Sequence, residues 1–534
     1  MATQIPDDLR DPHTPAEVVI TSGARRPAAD PRLGVDVPLR AEGTPRNRLV
    51  AIGDSLTHGF QSAAIYHTDI SYPALIAHEL GWLRQFRRPH YWGFGGLPLN
   101  LEFLVRELED RFGPSLDWYE LPLALFRARQ WMAEAEQYWE HGPGSRIPHA
   151  AGINHNLAVF GWDLRDTLDR TFDVCSAEMT APKHQLIPNI ENGNNLAALR
   201  VLPSGTEHLR GLTPLTAAAE LGAEGTEEAP GDGEGIETLI VFLGSNNALS
   251  AVTHFTVHWS GAGYDDLKTK GRYNVWRPSH FASEFDLVVK GVEPIRARHV
   301  IWTTVPHVTV APLAHGVGTT KQYPGSRYFA NYTWPWIGDD SFHPGTDPHL
   351  THQRARAIDS AIDMYNDHIE HRVREARQAG RDWYLLDVAG MLDRLAYRRY
   401  LQDAAAQPSW WTPYPLPPEV EALQVDSRFF RSDKTGRLEG GIFALDGVHP
   451  TTVGYGLLAQ EFINIMDAAG VQFPHVDRDN PRQGPPRLNW HRVIRRDSLI
   501  SAPPASLAGD LRTIGWLDEV IEVFQHLFRR GSSA

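Results

Sequence analysis

Short, almost wholly apolar runs recur along the chain, separated by stretches in which apolar residues fall at helical spacing. The runs predict five buried strands: Arg48–Ile52, Asn156–Phe160, Thr238–Leu243, His299–Val305 and Trp383–Val388. Between and after them the period changes. After the first strand, Ser71 is placed to cap a helix with Pro73 in its first turn, Leu75, Ile76 and Leu80 on one face and Gly81 at its end. Further helices are predicted over Ser279–Val292, about 352–378, and Val453–Met466. Strands that alternate with helices build a parallel sheet with right-handed crossovers. Five of them predict a flavodoxin-like α/β sandwich.

The chain is longer than such a unit needs. Residues 1–46, rich in Pro, Arg, Asp and Ala, read as an extended or partly disordered lead-in, and 47–470 as the main domain. Four insertions fall near 82–150, 250–278, 307–350 and 395–440. The first is helical: Asn100 caps a helix carrying Leu101, Leu104, Val105, Leu108 and Phe112, and a second helix spans Leu121–Tyr138. Its Trp92-Gly93-Phe94-Gly95-Gly96 lacks the strand and Lys-Ser/Thr of a phosphate loop and reads as a turn. The acidic, Gly-rich stretch Gly222–Gly235 reads as a mobile loop. Residues 471–534 form a C-terminal extension, irregular over 470–509. It ends in an amphipathic helix, 510–530, whose acidic residues Asp518, Glu519 and Glu522 favour docking on its own chain over a membrane.

Charge narrows the partners. The formal net charge of −14 argues against nucleic acid and against anionic membrane surfaces. No stretch of about 18 apolar residues is present to span a bilayer. The single cysteine, Cys175, allows no intrachain disulfide, and the N-terminus has no apolar core of signal-peptide type; both fit a cytoplasmic protein.

The candidate chemistry sits where strands end. Gly53-Asp54-Ser55-Leu56 follows the first strand, so a serine stands at the carboxyl edge of a parallel sheet, where open α/β sheets bind ligands. Read alone, the tetrapeptide is equally a capping turn. A serine hydroxyl needs a base. Asp446-Gly447-Val448-His449-Pro450 offers one, with Asp446 close enough in sequence to orient the imidazole. A second Asp-x-x-His, Asp340-Ser341-Phe342-His343, lies in a long loop between the fourth and fifth strands and is expected to order that loop. An oxyanion needs donors. The Ser55 N–H, the Gly161 N–H after the second strand and the Asn246 side chain after the third are candidates. Gly193-Asn194-Asn195 has the right letters but no strand before it, and is set aside.

In this order, the Gly53–Leu56, Asn156–Gly161, Gly244-Ser245-Asn246-Asn247 and Asp446–Pro450 motifs, the last followed by Gly454-Tyr455, resemble the SGNH (GDSL) hydrolases. The resemblance implies a three-layer α/β/α fold and a Ser55/His449/Asp446 triad. It also implies an oxyanion hole of Ser55, Gly161 and Asn246, and hydrolysis of esters or thioesters without cofactor or metal. Asn247 stands where the family usually carries Asp, which is expected to act only indirectly. An acyltransferase or thioesterase using the same site, and a scaffold that keeps the fold without catalysis, are the alternatives. The insertions carry Trp259, Trp276, Trp334, Trp336, Trp410, Trp411, Tyr323, Tyr328 and Tyr332. These form either the wall of a pocket for a lipid-like or sugar-ester substrate or, as large aromatics more often do, the cores of the insertions themselves. His368 and His371 lie three apart on a charged, solvated helix face, and His254 and His258 have no acidic residue placed between them, so neither pair is read as a zinc site.

Overall fold

The computed structural model describes residues 5–21, 23–38, 43–115, 119–148, 152–181, 190–323, 326–474 and 484–507. The helix expected over 510–530 lies outside them. At the centre is a four-stranded parallel sheet of β1 (Asn47–Gly53), β2 (Ile236–Phe242), β3 (Ala297–Thr303) and β4 (Trp383–Leu386), side by side in that order. Val50 pairs with Leu239, Leu239 with Val300, and Val300 with Trp383.

Alternation sorts the strand side chains between two faces. Leu49, Ala51, Ile240, Phe242, Ile301, Tyr384 and Leu386 pack beneath α1 (Tyr72–Glu79) and α5 (Thr452–Ala468). Val50, Ile52, Leu239, Val241, Val300, Trp302, Trp383 and Leu385 pack against α2 (Pro214–Ala223), α3 (Pro278–Val292) and α4 (His352–Gln378). Both faces are covered, which is why the runs read as continuously apolar.

The expected strand at 156–160 is an extended edge segment with a single parallel bridge, Ala51 to Asn156. Its backbone runs beside β1, with Ala51 N–H on His155 O at 2.8 Å and Leu157 N–H on Ala51 O at 2.8 Å. The Val159 N–H continues the ladder to Gly53 O at 3.3 Å, and side chains take the N–H groups that face away from β1. The Ala158 N–H donates to Asn156 Oδ1 and the Phe160 N–H to His58 Nδ1, both at 3.2 Å. The helices Leu101–Phe112 and Leu121–Glu136 of the first insertion form a separate core around Phe160 and Trp162, beyond this edge. Asn100 caps the first as expected, accepting from Glu102 and Phe103, and Trp92–Gly96 is a turn.

Three further expectations are corrected. Gly222–Gly235 is held in place: its ends meet β1 through Asn47 N–H on Gly235 O (3.0 Å), and Glu227 N–H donates to Thr44 O (2.9 Å). The described part of 1–46 is extended and docked. Val18, Ile20 and Leu33 enter the core, Arg25 pairs with Asp387 and Glu370, and Pro31 O accepts the Leu385 N–H of β4 at 3.0 Å. The stretch expected to be irregular contains the short helices Trp490–Arg496 and Ser498–Ser501. Among the described residues, no helix is long and apolar enough to cross a membrane.

Candidate active site

Ser55 opens a single helical turn, Ser55–His58, directly after β1. Asp54 caps it by accepting the Leu56 N–H at 3.0 Å, and Gly59 closes it at φ +92°. Gly53 is required by packing: a Cβ there would lie 2.1 Å from Thr57 Oγ1 and 2.9 Å from Phe242 O. As the first residue of the turn, Ser55 presents an N–H with no intrahelical acceptor. Burial pushes the Asp54 carboxyl up to about 6.

The base arrives from the other end of the chain. His449 Nε2 lies 2.8 Å from Ser55 Oγ, and Nδ1 lies 3.0 Å from Asp446 Oδ2. With the imidazole neutral, Nδ1–H donates to the carboxylate and Nε2 accepts from the hydroxyl. Asp446 is fixed by its own turn, taking the Val448 and His449 N–H groups on Oδ1 (2.9 and 2.8 Å), while Ala63 N–H meets Oδ2 at 2.9 Å. Burial opposes its charge, but His449 and these N–H donors prevail and hold the carboxyl below its ordinary range. Phe60 packs on the imidazole at 4.6 Å between ring centres. Ser55, His449 and Asp446 are all buried.

The expected oxyanion donors have clear local causes. Gly161 has φ +75°, a conformation that frees its N–H from the β1 edge at low steric cost. Among the described residues neither its N–H nor that of Ser55 finds an acceptor. Asn246 sits in the turn Ser245–Asn247 after β2 and donates from Nδ2 to Trp162 O at 2.8 Å, which ties it to the Gly161 loop. Asn247 is fully buried, and among the described residues neither polar atom of its amide has a partner. His343, by contrast, lies in an exposed turn that Asp347 caps through the His343 N–H at 2.7 Å, away from Ser55.

Several supporting residues were not legible in the sequence. His58 is buried and held neutral, its imidazole pushed down to about 3 by burial. Since Nδ1 accepts from Phe160 N–H, Nε2–H is left to donate to Tyr91 OH at 2.8 Å. Asn194, set aside above, donates to Phe160 O and accepts from Trp162 Nε1 at 3.0 Å, bracketing Gly161. Lys270, from the second insertion, buries its ammonium against Asp163 (2.8 Å) and Asp166 (2.7 Å) at the start of the helix that follows. For His58 and Lys270 the only signal was polarity at positions that proved to be buried.

Beside Ser55 and His449 lies an apolar slot of about 100 Å³, walled by Leu56, Leu249, Val308, Met391, Leu395 and Leu457 among others. Residues after β1, β2, β3 and β4 all contribute to it, as expected at the carboxyl edge of a parallel sheet. His307 stands in its wall between Asp363 (2.8 Å) and Asp393 (3.2 Å). Burial opposes the imidazolium, yet the two carboxylates and Asp359 raise its pKa well above the ordinary value. None of the eight insertion aromatics whose side chains are described lines this slot. Trp276, Trp334, Tyr328 and Tyr332 are core residues. Among the described residues, no cluster of His, Cys, Asp and Glu is arranged to hold a metal. No protein-family model matches the chain, and no curated protein is similar enough to count as a match.

Proposed function

We propose that the protein is a serine-dependent carboxylic ester hydrolase of the SGNH type. The observation that carries the reading is the continuous Ser55–His449–Asp446 hydrogen-bond chain between residues 394 positions apart. Counting the 156–160 segment as an edge strand, the order becomes 2-1-3-4-5, that of a flavodoxin-like three-layer α/β/α sandwich.

In this mechanism Ser55 Oγ attacks the ester carbonyl as His449 Nε2 takes its proton, and Asp446 stabilises the imidazolium. The developing oxyanion is met by the Ser55 and Gly161 N–H groups and by the Asn246 amide. The imidazolium then protonates the leaving alcohol. A water, activated by the same nitrogen, hydrolyses the acyl-enzyme. The mostly apolar slot supports an uncharged, lipid-like acyl group beside Ser55. Cys175 is buried and its thiol pushed up to about 12, in keeping with an inert residue.

The test is turnover of p-nitrophenyl acetate and butyrate, with fluorophosphonate labelling. Ser55→Ala and His449→Ala are each expected to lose on the order of 10⁶-fold in kcat, and Ser55→Ala to lose labelling as well. His343→Ala is expected to behave as wild type. A folded Ser55→Ala variant with undiminished turnover would remove the reading. Product analysis with competing alcohols separates hydrolysis from acyl transfer.

A further inference from the structure

A second cavity, of about 570 Å³, lies across the Pro306–Pro312 loop from the apolar slot. Its chemistry is the opposite. Among the described residues, five guanidinium groups, those of Arg327, Arg398, Arg399, Arg428 and Arg431, line it with a single carboxylate, Glu439. The chain as a whole carries a net charge of −14, so this concentration of cations is local.

The arginines differ in how they are neutralised. Arg399 is paired with Asp359 at 3.0 Å, Arg327 with Asp403 at 3.1 Å, and Arg428 with Asp426 at 2.7 Å. Among the described residues Arg431 has only Glu439, at 3.9 Å, which Arg428 shares at 3.2 Å. Arg398 has no carboxylate within 4 Å among the described residues. One of its Nη atoms donates to Gly316 O at 2.8 Å, and its Nε is buried without an acceptor. It lies 4.9 Å from the centre of the Phe329 ring, which Arg327 also contacts at 5.2 Å. Two cations thus share one ring. Burial works against the charge on Arg398 and lowers its pKa, with Arg327 adding to the effect and Asp339, Tyr332 and Glu439 opposing it without prevailing. A guanidinium with no ion-pair partner in such a position is costly unless something neutralises it.

We propose that this cavity is a binding site for a small organic anion, a carboxylate or phosphate carried on a flat or apolar body. The guanidinium fork matches both oxyanions in two-point geometry. Phe329, Tyr332, Trp336 and Phe429 supply apolar walls for the body. The site adjoins the triad. Ala311 lines both chambers, Leu313 N–H donates to Gly447 O at 3.0 Å, and the Phe429 ring closes on Gly447, where a Cβ would come within 2.9 Å of it. A ligand there sits behind the turn that carries Asp446 and His449. The site does not depend on the hydrolase reading, because binding can be measured in protein lacking the Ser55 hydroxyl.

The probes are phenyl phosphate and benzoate, with benzyl alcohol as the neutral control, titrated by calorimetry into Ser55→Ala protein. At least one anion is expected to bind saturably, about tenfold or more tighter than benzyl alcohol. Arg398→Met is expected to weaken it by about tenfold or more, and Arg431→Gln, at a half-exposed position that leaves the core untouched, by about threefold. Absence of saturable binding by both anions, or binding that neither variant weakens, overturns the proposal. In wild-type protein, competition between the bound anion and a p-nitrophenyl ester assigns the anionic group to the substrate itself. Binding without competition assigns it to a separate ligand.

Discussion

Two chambers share the loop after β3, and their linings differ in kind. The one beside Ser55 is small and mostly apolar, with the proposed nucleophile in its wall. The other is more than five times larger in volume and lined by arginine and aromatic side chains, and the serine in its lining, Ser427, donates to Leu395 O rather than to the histidine there, His315. Size alone would have directed attention away from the proposed triad. A reaction that develops one negative charge on one oxygen needs fixed dipoles and a dry surround rather than room. Gripping an anion takes several outward-facing donors, and therefore space.

The sharpest way to break the contrast is to disable the small chamber without reshaping it. Asp446→Asn keeps the side-chain volume but no longer fixes the imidazole tautomer, and kcat on neutral esters is expected to fall by about 10⁴-fold. Unchanged kcat would mean that the chemistry lies elsewhere. Next comes the shared wall. His307→Leu removes the cation between Asp363 and Asp393 and leaves both carboxylates buried without it; urea denaturation near pH 6 should show a loss of about 3 kcal/mol. The sign with pH follows from the raised pKa of His307. The native state keeps the proton where the unfolded chain has released it, so the stabilisation is full below about 6.5 and fades as pH rises through the higher native value. The gap between wild type and variant should therefore narrow at alkaline pH, and a gap that widens would contradict the charged assignment. The smallest effect is expected from Met391→Trp, which fills the slot. The preference for p-nitrophenyl octanoate over acetate should drop by about tenfold or more, with acetate turnover retained. An unaltered ratio would place the acyl chain outside the slot.

Most of the sheet and the proposed reacting groups were legible because both are written locally. A run such as Leu49–Ile52 followed by Gly53-Asp54-Ser55 declares a strand, a sharp turn and a hydroxyl at the carboxyl edge of the sheet within seven residues. Asp446 and His449 lie within one turn of each other. The 156–160 segment misled because its apolar letters say nothing of where its N–H groups go, and Asn156 and His58 take two of them. Asn194 was set aside and Lys270 went unremarked because their partners, Phe160, Trp162, Asp163 and Asp166, are tens of residues away or more. The arginine chamber draws on residues from about 309 to 439, and no short window contains enough of it to stand out. Gly222–Gly235 failed for a different reason. Its composition is that of a free loop, but the edge of β1 gives its backbone a place to bond.

The docked N-terminal arm has a practical consequence. Its Pro31 carbonyl occupies the outward-facing Leu385 amide of β4, so the last strand of the sheet is shielded by the protein's own tail. Trimming the chain to begin near residue 44, an obvious choice for anyone tidying a Pro-rich leader before expression, would uncover a template for strand addition. Such a shortened protein should self-associate as concentration rises, and the intact one should not.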